Sequence, residues 1–160
     1  METSTLIPSA GTLARLAISA LAAGGMAGMI LPVTILLGGM ALGGWPADAE
    51  TLAGLGEWIK TGFLAGLVIA SPPALLAGAS LWALGKKSGA ARRPPAWAGA
   101  GAAVAGALWL LLISIDRGLP AYIQWGLFAA SLPTGAGGAL AFLGAMRLTA
   151  GRRGDPKAGA

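Results

Sequence analysis

Four long apolar runs, separated by three short polar stretches, make up most of the chain. Each run is continuous and holds about 20 residues or more, the length that a helix needs to cross a hydrocarbon layer of about 30 Å. Strands of a membrane barrel instead alternate polar and apolar residues and are about half as long. The pattern therefore predicts an all-α, polytopic membrane protein with four transmembrane helices. Their approximate positions are 12–44, 61–85, 96–115 and 120–146.

The residues outside these runs are too few for a second domain. We predict a short cytoplasmic N-terminus over residues 1–11, one helical bundle over residues 12–147 and a basic cytoplasmic tail over residues 148–160. Glu2 precedes the first cation, Arg15, whereas a secretory signal opens with positive charge. The first apolar run is therefore expected to remain in the membrane as a span.

Cations are distributed unevenly between the two ends of the predicted helices. Of the eleven Lys and Arg residues, only Lys60 and Arg117 fall on one side of the membrane. The positive-inside rule then predicts a multi-pass protein of the bacterial inner (plasma) membrane with both termini in the cytoplasm. The cytoplasmic cations are Arg15, Lys86, Lys87, Arg92, Arg93, Arg147, Arg152, Arg153 and Lys157.

The composition restricts the chemistry that the chain can perform. It is 56% hydrophobic and 11% charged, and it contains neither His nor Cys. Those two residue types supply the commonest ligands of zinc, haem and iron–sulfur clusters and many acid–base and nucleophilic groups of enzymes. We therefore predict that the protein is not an enzyme and holds no metal, and we assign no catalytic or cofactor-binding residue.

Small residues recur at four-residue spacing in every span, which places both members of a pair on one helix face. Such stripes let helix backbones approach closely in lipid. They indicate either tight packing inside this bundle or faces that meet a partner subunit or a flat apolar ligand. The pairs are Gly24–Gly28, Gly39–Gly43, Gly62–Gly66, Ala102–Gly106 and Thr134–Gly138.

Prolines lie near mid-depth in three of the spans, at Pro32, at Pro72–Pro73 and at Pro133. Each removes a backbone donor and frees a carbonyl in the preceding turn. One interpretation is bent helices that pack well, and the other is a midplane cavity of the kind that transporters build from broken helices. The hydroxyl residues expected to satisfy the backbone beside them are Thr34, Ser71, Ser131 and Thr134.

The second and fourth spans resemble each other in sequence. Ala70–Pro73 reads ASPP and Ala130–Pro133 reads ASLP, and Gly-Ala follows at matching distance in both. Both spans are predicted to run in the same direction, so the echo favours two helical hairpins arranged as a parallel repeat. The first and third spans share no such match, and a bundle without internal duplication stays an alternative.

Charged residues are absent from the depths of the predicted spans. Ionisable groups in a membrane tend to mark proton or ion pathways, and here they lie near helix ends. A proton pump or voltage sensor is therefore disfavoured. The basic connection from Lys86 to Arg93 serves as a topology signal, with an anionic-lipid site as its alternative. It is too short for a nucleic-acid interface.

Many packing stripes and few reactive groups favour a non-catalytic role. We predict an accessory or structural subunit that packs, through glycine-rich helix faces, into a larger inner-membrane complex such as an energy-transducing one. The first alternative is a small oligomeric transporter or channel with its path at the proline kinks. The second is a binder of an apolar cofactor such as carotenoid, quinone or another pigment. The expected partners are membrane lipids and other membrane subunits or a second copy of the chain.

Overall fold

The computed structural model describes residues 9–41, 44, 46, 48–89, 93–115, 118 and 120–151, and these residues form helices without any strand. Four of the helical stretches are long and apolar enough to cross a membrane, so the predicted fold class is confirmed. In chain order the elements are α1 (Ala10–Ala41), α2 (Ala49–Ala65), a π-helical segment (Gly66–Ala70), α3 (Ser71–Lys87), α4 (Pro94–Ile115) and α5 (Ala121–Gly151). The second of the four stretches is one continuous rod made of α2, the π-helical segment and α3.

The second span begins at Ala49, well before the apolar run from Thr61 that predicts it. Asp48 caps the helix, because its Oδ1 accepts a hydrogen bond from the Thr51 N–H at 2.8 Å. This hydrogen bond holds the pKa of the Asp48 carboxyl below its usual value. The span from Ala49 to Gly85 has 37 residues and a length of about 55 Å. Its first turns therefore extend beyond a hydrocarbon layer of about 30 Å.

The π-helical segment immediately precedes the proline pair of the second span. Pro72 and Pro73 lack the N–H groups that would bond to the carbonyls of Val68 and Ile69 in an α-helix, and their rings would clash there. Widening the helix over Gly66–Ala70 removes that clash without breaking the rod. The other two prolines, Pro32 and Pro133, lie inside regular α-helices.

Neighbouring spans run antiparallel, and they pack side by side in the order second, first, fourth, third. Between α1 and the second span the backbones touch through glycines. A Cβ at Gly28 would overlap the Gly62 carbonyl, and one at Gly66 would overlap the Gly24 carbonyl. Two of the predicted small-residue pairs therefore serve packing inside the chain.

In the α4–α5 hairpin the two helices also meet at glycines, and each of these lies one residue away from a predicted small-residue pair. Gly101 and Gly135 face each other, so that a Cβ on either would overlap the carbonyl of the other. Gly106 does face α5, and Gly138 faces α1 at Ala23 and Ala27 instead. The pair Gly39–Gly43 lies partly outside the described residues.

One end of the bundle, the basic end, carries Arg15, Arg93 and Arg147. A buried apolar core lies beside it, where the start of α1, the start of α4 and the end of α5 converge. Trp97 is buried in this core, although a tryptophan so close to a helix end is typical of the membrane surface. The core residues are Leu16, Ala20, Ala23, Trp97 and Phe142.

A candidate apolar cleft between the second and third spans

An apolar cleft of about 300 Å³ lies inside the bundle and is lined by all four spans. Ala27 of α1 and Gly138 of α5 form part of its floor, and α3 and α4 form its two walls. The volume is at the lower end of the range for ligand pockets, about 300–1,000 Å³. Small residues shape this space, because a larger side chain at positions such as Ala77 or Ala100 would fill it.

The cleft exists because one contact of the bundle is nearly missing. In two hairpins related by a twofold axis, the α1–α5 contact would have a counterpart between α3 and α4. The contact between α1 and α5 is extensive, whereas α3 and α4 hardly touch. The walls of the cleft therefore stand apart, and the cleft opens sideways between them toward the surrounding lipid.

Exposure changes along the cleft from one end to the other. At the basic end its lining includes Trp97 and Phe142, which are only 4% and 1% exposed. Their rings stack with centroids 5.5 Å apart and an interplanar angle of 22°. Farther along α4, the lining residues Leu108 and Leu112 are 45% and 51% exposed. The cleft is thus closed at the basic end and open toward the other end of α4.

Among the described residues, the lining carries no charged side chain, and its two hydroxyl groups are already bonded. Ser131 donates to the Phe128 carbonyl at 2.7 Å, and Thr134 donates to the Ala130 carbonyl at 2.8 Å. Trp109 also lines the cleft, and its Nε1 is buried without a hydrogen-bond partner. The cleft therefore offers an occupant almost no polar contact.

The proline-rich positions do not come together around one path. Pro73 lines the cleft, but Ser71 does not: it is buried beside Gly24 of α1, and its Oγ has no hydrogen-bond partner. Thr34 bonds to the carbonyls of Ile30 and Leu31. Thr34, Ser131 and Thr134 thus do bond to the backbone, though to carbonyls other than the ones that the prolines free.

Charged groups in the described part of the chain lie away from the cleft. Glu57 and Lys60 form an exposed pair at 3.8 Å on α2. Within the described residues, no three His, Cys, Asp or Glu side chains gather as a metal site would require. The acid Asp116 and the cations Arg92 and Arg117 lie outside the described residues, as does the tail beyond Gly151.

The fold and the cleft together define an integral membrane protein of four spanning helices with a laterally open apolar cleft. The sequence offered a midplane cavity at the prolines as one interpretation but did not locate this cleft, because lipid-facing and cleft-facing positions are both apolar. Only the long row of small residues on α3 and α4 was available as a signal. Neither a protein-family model, nor a curated protein, nor a solved structure matches this chain.

Proposed function

We propose that the protein is a non-catalytic membrane protein that holds a hydrocarbon chain of a lipid-like molecule in the cleft. The observation that carries this proposal is the cleft itself, which is apolar, lined by every span and open to the side. A hydrocarbon chain enters such a space from the bilayer without losing hydration. It gains dispersion contacts that a void between the helices would lack.

The same features argue against a path for polar solutes. A polar solute that leaves water must find hydrogen bonds inside the protein, or it loses several kcal/mol. The hydroxyls of Ser131 and Thr134 already bond to their own helix, and Ser71 lies outside the cleft. A transporter or channel at the proline kinks is therefore the weaker of the two ligand-handling functions.

Retention of lipid tests the proposal. The protein is purified in a mild detergent, washed extensively and weighed by native mass spectrometry. We expect one chain-bearing molecule per protein in the wild type and its loss in Ala77→Phe, because the added ring fills the cleft. Ala83→Phe adds the same ring on the exposed face of α3 and should retain the molecule. Equal retention in both variants, or none in the wild type, would contradict the proposal.

A role as an accessory subunit of a larger membrane complex is the second candidate. Two of the five predicted small-residue pairs pack within the chain, as do Gly106 and Gly138 from two others, but other glycines remain available. Gly54, Gly56, Gly99 and Gly126 have no atoms within 4 Å of the place where a Cβ would stand. These positions leave smooth outer faces on three helices that another subunit could contact. A monomer without a stoichiometric protein partner under native conditions would exclude this candidate.

We also propose an inner-membrane location with both termini in the cytoplasm. Arg15, Arg93 and Arg147 lie at one end of the bundle, in keeping with the excess of cations that predicts this orientation. The chain has no cysteine, so single cysteines introduced near either terminus can be labelled without background. Protection of both from an impermeant reagent in intact cells is the expected result, and labelling of either contradicts it.

A further inference from the structure

We propose that the cleft selects unbranched acyl chains by length, with the stacked Trp97 and Phe142 rings as the wall against which the end of the chain rests. This inference rests on the proposed function and adds to it the kind of chain, its direction and the residues that limit it. The occupant is one acyl chain of a membrane lipid. Its headgroup lies at the end of the bundle opposite the basic end.

The wall at the basic end is buried and closely packed. Phe142 and Trp97 belong to the buried core together with Leu16, Ala20 and Ala23 of α1. On the other side, a Cβ added at Gly78 would overlap the Phe142 ring, so α3 presses directly on it. Interiors packed in this way do not open gradually, because each ring is held by several neighbours. A chain that reaches this wall can go no farther.

The opposite end of the cleft is where a chain can enter. Val104, Leu108 and Leu112 follow one another at four-residue spacing on α4, and all three line the cleft while remaining partly exposed. They form one apolar stripe along the gap between α3 and α4. A chain from the adjacent leaflet can slide along this stripe and insert its methyl end first.

The dimensions of the cleft suit a single chain. Along α4 the lining extends from Trp97 to Leu112, about 22 Å at the helical rise. That is longer than half of a hydrocarbon layer of about 30 Å, so an inserted chain would pass the midplane. Spread over this length, a volume of about 300 Å³ is smaller than a full acyl chain, so a single chain fits with part of its surface in the open side of the cleft. Methyl branches along the chain would have to push the walls apart.

Competition between chains of different length tests the wall. The delipidated protein is equilibrated with an equimolar mixture of single-chain phosphocholine lipids that differ only in chain length, and the bound species are weighed by native mass spectrometry. We expect the wild type to bind chains up to a definite length and to discriminate against longer ones. In Phe142→Ala the bound ratio of long to short chains should rise about fivefold, because the longer chain fills the void that the ring leaves.

Two further variants keep the test decisive if Phe142→Ala folds poorly. Ala100→Leu adds bulk one turn from Trp97, so it should shift the bound distribution toward shorter chains. Phe128→Ala removes an equal ring from α5 outside the cleft and should leave the distribution unchanged. A methyl-branched chain of the same length should bind less than its unbranched counterpart.

The possible results separate this inference from the proposed function. Chains that bind without a length limit, or a limit that neither Phe142→Ala nor Ala100→Leu moves, would overturn the wall and leave the cleft as a lipid-binding site. Branched chains that bind as well as unbranched ones would overturn the assigned chain type. A wild type that binds no chain of any length would overturn both proposals.

Discussion

Glycine positions decide how closely the helices of this protein approach one another. Gly24 and Gly28 of α1 meet Gly62 and Gly66 of the second span, with backbone against backbone. In lipid the helices gain little from the hydrophobic effect, because lipid tails are as apolar as leucine, so this close packing is a main source of association. Glycines that face open space contribute nothing of this kind, and the two groups can be compared directly.

We predict that Gly62→Ala destabilises the protein by about 1–3 kcal/mol, because the methyl group overlaps the Gly28 carbonyl and the helices must separate. The matched control is Gly54→Ala on the same helix, where nothing lies within 4 Å of the new methyl group. That change should be neutral or stabilising by up to about 1 kcal/mol, because alanine favours the helix. Thermal unfolding in one detergent measures both. Equal effects of the two substitutions would refute this account of the packing.

Asp48 makes the first turn of α2 sensitive to acid. Its carboxylate caps the helix through the Thr51 N–H, and this bond lowers its pKa below the ordinary value of 3.8. Because folding lowers the pKa of this carboxyl, the stabilisation by the cap is fully present at pH values above the ordinary pKa. It is lost as the pH falls through the lowered pKa. We predict that protection of the first-turn amides from hydrogen exchange, corrected for intrinsic rates, falls in that acidic range.

Asp48→Asn provides the control for this pH effect. Asparagine caps a helix about as well as aspartate but does not titrate, so the amide protection should become independent of pH. A fall in protection that is the same in the variant and the wild type would show that the Asp48 carboxylate is not its source.

Two residues show where sequence reasoning reaches its limit at this scale. A tryptophan near the end of a span is typical of the membrane surface, and Trp125, which is 60% exposed, fits that rule. Trp97 lies equally near the end of α4 and is buried against Phe142 instead. The difference depends on which face of the helix meets a neighbour. In a span that is apolar all round, the sequence carries no signal for that face.

Among the elements, the second span is the least regular. Its π-helical segment changes the direction in which the following side chains point, so α2 can face α1 with Gly62 while α3 faces the cleft with Ala77. We attribute the segment to the proline pair, because two adjacent prolines remove two consecutive backbone donors, whereas the single prolines Pro32 and Pro133 lie inside regular α-helices.

We predict that replacing both Pro72 and Pro73 with alanine allows Gly66–Ala70 to wind as α-helix. The restored N–H groups can then bond to the Val68 and Ile69 carbonyls, and α3 turns relative to α2 by up to about 100°, the angle of one residue. Spin labels on cysteines at Gly54 and Ala83, in this cysteine-free chain, should report a distance change of several ångströms. An unchanged distance would mean that the prolines do not maintain the segment.

The helices themselves could be predicted from the sequence, and their details could not. Length and hydropathy indicate four spans because, outside a closed barrel, a segment in lipid can satisfy its backbone hydrogen bonds only as a helix. The extension of α2 to Ala49 escaped that reasoning because its charged residues, Glu50, Glu57 and Lys60, lower the local hydropathy. The π-helical segment escaped it because a proline pair predicts a disturbance without specifying its form.

At the scale of the whole molecule, the defining feature is an incomplete bundle. Three helix contacts are closed, and the fourth, between α3 and α4, is open along most of its length. The sequence echo between the second and fourth spans suggests two similar hairpins, yet their contacts differ, because the fourth span packs on two neighbours and the second chiefly on one. That asymmetry creates the cleft, and the sequence echo does not predict it.

If a lipid chain occupies this cleft, Trp97 is placed to report it. A chain in the cleft ends beside Trp97, whereas lipids around the bundle cannot reach this buried ring. The measurement is fluorescence quenching by lipids brominated near the methyl end of the chain, in a variant whose only tryptophan is Trp97. A second variant that retains only the exposed Trp125 serves as reference. We predict strong quenching of Trp97 that is lost in Ala77→Phe. Quenching of Trp97 that is no stronger than that of Trp125, or that persists in Ala77→Phe, would contradict the proposal.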